Sequence, residues 1–155
     1  MRWRFVDKIE TLQPWQAATG RKAISYEESS LCEPLGRRGI LPESLVLESC
    51  VHLVRWLVAA SSQFASTCLL GEVERFALLR EVGIGDSLAL ATTVLAREPD
   101  RLRVECRAES GGQAVAEGVL SVALLPLAAC APPEDTRSLW RELSAPHQPS
   151  GVGTR

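Results

Sequence analysis

The stretch that decides the fold is EPLGRRGILPESLVLESCVHLVRW, residues 33–56. A segment rich in Gly, Arg and Pro leads to Pro42, and the residues from Leu45 to Ala60 are then apolar almost all round. Proline suits the first turn of a helix, because its missing N–H would have no intrahelical partner there. An apolar run without a wide polar face is typical of a buried helix. The stretch therefore predicts a helix that starts at Pro42 and lies inside the protein.

Two polar side chains interrupt this helix. Glu48 and His52 are four residues apart, which places them on one helix face and within reach of each other. A carboxylate on an apolar helix is costly to bury unless it is paired, and such groups are enriched at functional sites. Glu48 is therefore the first candidate for a catalytic group. The alternative is a structural pair with an arginine such as Arg37 or Arg55.

The second half of the chain alternates between apolar and polar residues. LRVECRAE (102–109) places its apolar residues on one side and its charged residues on the other, a period of two that predicts a half-exposed antiparallel strand. Segment 86–96 precedes it across REPD, and segment 113–125 follows it across SGG. Short turns of this kind join neighbouring strands, so the three segments predict an antiparallel meander.

The rest of the chain completes one domain and an extension. Residues 16–25 predict a strand, and residues 68–86 predict a strand or two that end in a Gly-rich turn. We expect the domain to cover residues 1–127. Residues 128–155 form a C-terminal extension, partly disordered, with a possible short helix at 134–143. A sheet covers one face of a central helix only, so we expect a homodimer or heterodimer to cover the rest.

Composition excludes several classes of function. The net charge is −2 over 155 residues, and no basic stripe of the kind that binds nucleic acid is visible. We expect no metal or organic cofactor, because the sequence contains no cluster of ligands. The cysteines are odd in number, are widely spread and lack a C-x-x-C motif, so we expect buried thiols in a reducing compartment. They are Cys32, Cys50, Cys68, Cys106 and Cys130.

The N-terminus lacks the apolar stretch of a secretion signal, and we expect no segment that approaches the length of a transmembrane helix. We therefore expect a soluble, cytoplasmic protein without membrane contact.

The order of these elements resembles the hot-dog fold, and specifically the 3-hydroxyacyl-ACP dehydratase family of fatty-acid and polyketide synthesis. The resemblance covers about residues 3–125. It rests on RFVDKIETL (4–12), AATGRKAISYEES (17–29), ILPESLVLESCVH (40–52) and RFALLREVGIGDSL (75–88). It implies an α+β fold in which a long antiparallel sheet wraps around one central buried helix and the domain dimerises.

The resemblance also implies a chemistry. In the family a loop His removes the C2 proton of the acyl thioester, and a carboxylate on the central helix helps to expel the C3 hydroxyl as water. The carboxylate corresponds to Glu48 and the proline that opens the helix to Pro42. The backbone N–H that polarises the thioester carbonyl corresponds to Glu43. The loop His corresponds to Pro34, which can neither accept nor donate a proton, so the resemblance implies a degenerate active site.

A subset of the family that lacks the loop His is similar to this chain, as in the dehydratase-like proteins of aryl polyene pathways. Here one hypothesis is that His52 has replaced the missing base, and the alternative is that it orients or neutralises Glu48. Arg37 and Arg38 correspond to the loop at the substrate entrance, where they can meet the phosphate of an acyl carrier protein, and the alternative is that they are solvated loop charges.

We therefore expect a protein that acts on or binds acyl thioesters of ACP or CoA. Two alternatives stay open at this point. One is a hot-dog thioesterase in which Glu48 activates water or attacks the thioester, and the other is a non-enzymatic subunit that binds the acyl carrier.

Overall fold

The structure, a computed structural model, describes residues 4–29 and 39–146. Within them the chain forms one six-stranded sheet with three α-helices and a short 3-10 helix at Leu127–Ala129. The strands are β1 (Lys8–Gln13), β2 (Ala17–Ala23), β3 (Ser66–Leu78), β4 (Ser87–Arg97), β5 (Arg101–Ser110) and β6 (Gln113–Pro126). The helices are α1 (Tyr26–Ser29), α2 (Glu43–Ser61) and α3 (Pro133–Ser144).

All neighbouring strands are antiparallel, and their order is β1-β2-β4-β5-β6-β3. The predicted meander is confirmed, since β4, β5 and β6 are neighbours in sequence order. Gly111 and Gly112 form the two-residue turn between β5 and β6, with φ angles of 59° and 74°. Positive φ at both positions favours glycine and matches the twist of the two strands. Segment 68–86 supplies one long strand, β3, which lies at an edge of the sheet.

Helix α2 packs against one face of this sheet. Most of its apolar side chains are buried, and Val46, Val51 and Leu57 have no exposed surface. The close approach of helix and sheet depends on Gly20 in β2, where a Cβ atom would lie 2.7 Å from the carbonyl oxygen of Lys8 and 3.3 Å from Leu53. The predicted architecture of a long antiparallel sheet on one central buried helix is therefore confirmed.

Pro42 differs from its predicted place in the first helical turn. Its ψ angle of 140° is extended, so it is the residue before the helix. Its carbonyl oxygen accepts the N–H of Leu45 at 2.9 Å and that of Val46 at 3.3 Å. Pro42 therefore starts the hydrogen bonding of α2 without itself being helical.

Helix α2 also corrects the expectation about membrane-length segments. With 19 residues it is long and apolar enough to cross a membrane by length and composition. The expectation that no segment has the length of a transmembrane helix was therefore wrong. Glu48 and Arg55 lie on one face of α2 and leave the rest of the helix apolar. In this fold the apolar side chains of α2 pack on the sheet, which makes it the core helix.

Helix α3 covers part of the opposite face of α2. The rings of Trp140 and Trp56 are 5.9 Å apart, and Leu143 is buried. Arg137 donates to the carbonyl oxygen of Gln63 at 3.2 Å, which fixes α3 beside the end of α2. The extension itself thus supplies part of the layer that the sequence led us to expect from a second subunit. The dimer stays a prediction.

The cysteines divide into two groups. Cys50, Cys68 and Cys106 are buried thiols, as predicted, and Cys32 lies outside the described residues. Cys130 is exposed, so the prediction of a buried thiol was wrong there. The reason is that the chain leaves the sheet at Pro126 and Cys130 lies in the link to α3, on the rim of the core.

Candidate functional site

Three side chains on one face of α2 form a polar cluster of Glu48, His52 and Arg55. Glu48 Oε1 lies 3.2 Å from His52 Nε2 and 3.1 Å from Arg55 Nη1. Arg55 Nη1 also lies 2.9 Å from His52 Nε2. Residues at i, i+4 and i+7 share a helix face, which is why the sequence brings them together. The structure thus joins the two predicted catalytic residues and adds the arginine that had been named as a structural partner of Glu48.

The hydrogen bonds of this cluster define the state of His52. Burial, followed by the charges of Arg55 and Lys22, lowers the pKa of His52 to about 4. The ring is therefore neutral near pH 7, and its Nε2 accepts one N–H of Arg55 while Glu48 accepts the other. We assign the ring proton to Nδ1 on this basis. The short contact between Glu48 and His52 is accordingly a contact of two acceptors bound by one arginine, and it is not an ion pair.

The cluster is accessible from solvent. The side chains of Glu48, His52 and Arg55 are 33%, 29% and 30% exposed. The ring of Phe5 packs on His52 with a centroid distance of 4.8 Å and shields one side of it. A small molecule can therefore reach the carboxylate, while the imidazole is held in place by packing as well as by Arg55.

A cleft of about 360 Å³ opens beside this cluster, between α2, the start of β3 and the segment from Leu127 to Leu139. His52 and Arg55 line it together with Trp56 and Ala59, which continue along the same face of α2. The other walls are mostly apolar. Clefts of this size with a few polar groups at one end are the usual form of a small-molecule site.

Comparison with known proteins supports the same fold. No protein-family model matches the chain. The 3-hydroxyacyl-[acyl-carrier-protein] dehydratase FabZ of Levilactobacillus brevis is 25% identical over 108 residues, which is 69% of this chain and 73% of that protein. The solved structure of a hot-dog-like protein from Thermanaerovibrio acidaminovorans has a TM-score of 0.64 and 12% identity, and covers 87% of this chain and 96% of that one. This chain has the hot-dog fold.

A second solved structure with this fold is a hypothetical thioesterase from Streptococcus pneumoniae TIGR4, determined with coenzyme A. It has a TM-score of 0.60 and 10% identity, and covers 77% of this chain and 85% of that one. The hot-dog fold predicted from the sequence is thus confirmed. The assignment to the subset without the loop His stays a prediction.

The other predicted site residues fall into two groups. Some lie at the start of α2, and the rest lie outside the described residues. Pro42 is half-buried and Glu43 is exposed, and the N–H of Glu43 lies ahead of the first hydrogen bonds of α2, which begin at Leu45. Such N–H groups are suited to an oxygen that carries negative charge. Pro34, Arg37 and Arg38 lie outside the described residues.

The sequence did not indicate a buried ion pair near the same helix. Lys22 Nζ lies 2.6 Å from Glu28 Oε1, and the two side chains are 2% and 7% exposed. Lys22 shares the inward face of β2 with Ala18 and Gly20, and these three buried positions alternate with more exposed ones. That alternation was the available signal, since a lysine at an inward position needs a partner.

In the ranges 4–29 and 39–146, no group of three or more His, Cys, Asp or Glu side chains is arranged to hold a metal ion. The polar cluster contains one carboxylate and one imidazole, and its arginine would repel a cation. What the site offers chemically is a carboxylate acceptor, arginine N–H donors and a neutral imidazole next to an apolar cleft.

Proposed function

We propose that this hot-dog protein is 3-hydroxyacyl-ACP dehydratase-like and acts on or binds acyl thioesters in fatty-acid, polyketide or aryl polyene type synthesis. The observation that carries the proposal is the position of Glu48, a solvent-accessible carboxylate next to an apolar cleft. An acyl thioester has a polar reacting centre and an apolar chain, which matches these two parts of the site. The similarity to the dehydratase of Levilactobacillus brevis supports the same substrate class.

Dehydration removes a proton from C2 and the hydroxyl group from C3, and the products are a 2-enoyl thioester and water. Because Pro34 replaces the loop His, Glu48 is the sole retained catalytic group in this proposal. Its carboxylate takes the C2 proton and returns it to the departing hydroxyl, so that no proton is gained or lost overall. General acid–base catalysis requires such a group within hydrogen-bond reach of both atoms.

In this proposal His52 is a positioning residue. A ring whose pKa is about 4 is a weak base near pH 7, which argues against replacement of the loop His by His52. Arg55 binds both His52 and Glu48 through Nη1, so the histidine restricts where the arginine and the carboxylate can lie. The hypothesis that His52 orients Glu48 is the one that the contacts favour.

The start of α2 supplies the second part of the mechanism. The backbone N–H of Glu43 donates to the thioester carbonyl oxygen, where negative charge develops as the C2 proton leaves. Pro42 ends the preceding segment and sets the direction of α2. Arg37 and Arg38 are the residues proposed to meet the phosphate of the acyl carrier.

A thioesterase is the second candidate. A carboxylate that accepts hydrogen bonds from an arginine can orient a water molecule for attack on a thioester, and this reaction needs no loop His. The likeness to the hypothetical thioesterase with coenzyme A is consistent with it. Its products are a free acid and a thiol, so the two candidates differ in what they release.

A second hot-dog subunit is part of the proposal. β3 lies at an edge of the sheet, and Leu69 and Val73 on it are 50% and 42% exposed. An apolar edge strand of this length is suited to pairing with another chain. A homodimer pairs two such edges, and a heterodimer brings in a subunit that carries the missing histidine.

The test is an assay of the purified protein with 3-hydroxyacyl-ACP and acyl-CoA substrates, beside Glu48→Gln. We expect the variant to lose at least about 100-fold in kcat/KM, the usual contribution of a general acid–base group. The matched control is Glu117→Gln, an exposed glutamate on β6 that belongs neither to the polar cluster nor to the lining of the cleft, which should keep full activity.

The product identifies the reaction. An enoyl thioester that depends on Glu48 supports the dehydratase, and a free acid supports the thioesterase. Full activity of Glu48→Gln would contradict both. If the unaltered protein binds the acyl carrier but forms no product, the result would support the role of a non-enzymatic partner subunit.

A further inference from the structure

The cleft beside the polar cluster has one wall that comes from the C-terminal extension. Ala131 and Leu139 of the extension, with Leu127 at the end of the domain, face Trp56 and Ala59 of α2 across it. These wall residues lie beyond residues 3–125, the range that carries the resemblance to the dehydratase family. The cleft is therefore formed in part by residues outside the range that carries the resemblance.

Several contacts join α3, which forms part of this wall, to the rest of the protein. Leu143 of α3 is only 3% exposed, and Trp140 packs against both Trp56 and Phe64 with ring centroids 5.9 Å and 6.2 Å apart. An ion pair of 3.0 Å between Arg4 and Glu142 joins the outer side of α3 to the N-terminal segment. Packing and an ion pair thus hold this wall of the cleft in place.

The lining changes in character along the cleft. His52 and Arg55 form the polar end next to Glu48, and apolar side chains such as Trp56, Leu127 and Leu139 form the remainder. In the described residues, Arg55 makes its two hydrogen bonds through Nη1, which leaves Nε and Nη2 as donors for a ligand oxygen. The cleft is therefore matched to a molecule with one oxygen-bearing end and one apolar end.

The dimensions limit the length of that molecule. From His52 to Ala59 is seven residues, or about 10 Å along the helix axis. With C–C bonds of about 1.5 Å, an extended chain of about eight carbons covers this distance. The volume of about 360 Å³ corresponds to about a dozen groups of the size of water.

We propose that this cleft is the binding pocket for the acyl chain of the thioester, that it takes chains of about eight to twelve carbons, and that the extension sets this limit. The inference rests on the proposed function, because it assigns the apolar part of the same substrate. The part of the chain next to C3 lies at Glu48 and Arg55, and the thioester carbonyl lies beyond it, towards the N–H of Glu43. Shorter chains leave the apolar end of the cleft empty, and longer ones meet the wall formed by residues 127–139.

Free fatty acids provide a test that needs no turnover, since their carboxylate can bind Arg55. We expect binding to tighten about fourfold for each added methylene and to stop tightening at about eight to twelve carbons. Saturated acids of 4 to about 16 carbons are titrated while the fluorescence of Trp56 and Trp140, which line or adjoin the cleft, is followed.

Cys130 gives a second, independent signal. It is exposed and lines the cleft, whereas burial raises the pKa of Cys68 to about 12 and keeps that thiol unreactive. In a Cys32→Ser background, a bound acid should slow maleimide labelling of Cys130. Protection should follow the same dependence on chain length as the fluorescence signal.

The decisive variant fills the cleft. Ala131 lines it and Ala129 does not, although both are alanines in the same link to α3. Ala131→Trp should weaken binding of decanoate by at least about tenfold. Ala129→Trp, on an exposed position, should bind as the unaltered protein does. Thermal unfolding of both variants checks that α3 remains in place.

Each result decides the question. Loss of decanoate binding in Ala131→Trp alone supports the proposal. Equal binding in both variants and the unaltered protein would overturn the chain pocket and leave the proposed function standing. If the unaltered protein binds neither fatty acids nor acyl thioesters, the chain pocket and the proposed function are both wrong.

Discussion

Two sets of charged side chains near α2 differ in how far they are buried. Lys22 and Glu28 are 2% and 7% exposed, and each donor of the lysine has a protein acceptor, at Glu28, Arg4 and Ala23. The polar cluster of Glu48, His52 and Arg55 is about one-third exposed and keeps arginine donors that no described residue occupies.

The difference teaches which of the two can take part in chemistry. In the buried pair the ammonium group of Lys22 and both oxygens of Glu28 are hydrogen-bonded, Oε2 to the N–H of Ser25 at 3.2 Å, and solvent access is small. Its role is to fix α1 to β2 just before the segment that leads to α2. The polar cluster has the access that the buried pair lacks. We therefore assign stability to the first and ligand contact to the second.

The largest effect is expected from breaking the buried pair. Lys22→Met leaves the carboxylate of Glu28 buried without its cation, which should lower the free energy of unfolding by about 3–5 kcal/mol. Urea unfolding measures it. The double variant Lys22→Met/Glu28→Gln removes the charge as well and should recover most of the loss. A single variant as stable as the unaltered protein would show that the pair is not what fixes α1.

A smaller effect is expected from pH at the polar cluster. His52 has a pKa of about 4 in the folded protein, against about 6.5 when unfolded. Between these values the unfolded chain binds more protons, so stability is complete above about pH 6.5 and falls as the pH drops towards 4, by up to about 3 kcal/mol.

The measurement is urea unfolding from pH 4 to pH 7.5, beside His52→Gln. In the variant the free energy of unfolding should depend less on pH, because glutamine does not titrate. Identical slopes in the two proteins would mean that His52 is protonated with the same ease in the folded and unfolded states. Such a result would remove the argument that the ring is a neutral positioning group.

Sequence alone predicted those parts of the molecule that depend on local spacing. The burial of β5 alternates from Leu102 to Ala108 as the sequence does, and the buried residues of α2 are apolar except for Ser49. The contact between Glu48 and His52 follows from their spacing of four residues. Each of these features can be read within one element.

The features that sequence reasoning missed join distant elements. The carbonyl oxygen of Arg4 and the carboxylate of Glu28 meet Lys22 only when the N-terminal segment, β2 and α1 come together. The stacking of Trp56 with Trp140 likewise requires α3 to turn back onto α2. No periodicity of one segment contains this information, so the cleft and its wall emerge only from the three-dimensional arrangement.

The smallest effect is expected from an ion pair on the outer face of the sheet. Arg103 and Glu74 make a bidentate pair, with Nη2 to Oε2 at 2.7 Å, and the hydrogen bonds and charge of Arg103 lower the pKa of Glu74. Water and salt screen such a pair, so Glu74→Gln should leave the urea midpoint almost unchanged in moderate salt.

Glu28→Gln is the matched variant, because it makes the same chemical change at a buried position and leaves Lys22 without its anion. It should destabilise the protein strongly at every salt concentration, since a buried charge is screened little. If Glu74→Gln destabilised the protein as much as Glu28→Gln, hydrogen-bond geometry and not burial would determine how much a charged pair contributes to stability. The assignment of different roles to the buried pair and the polar cluster would then lose its physical basis.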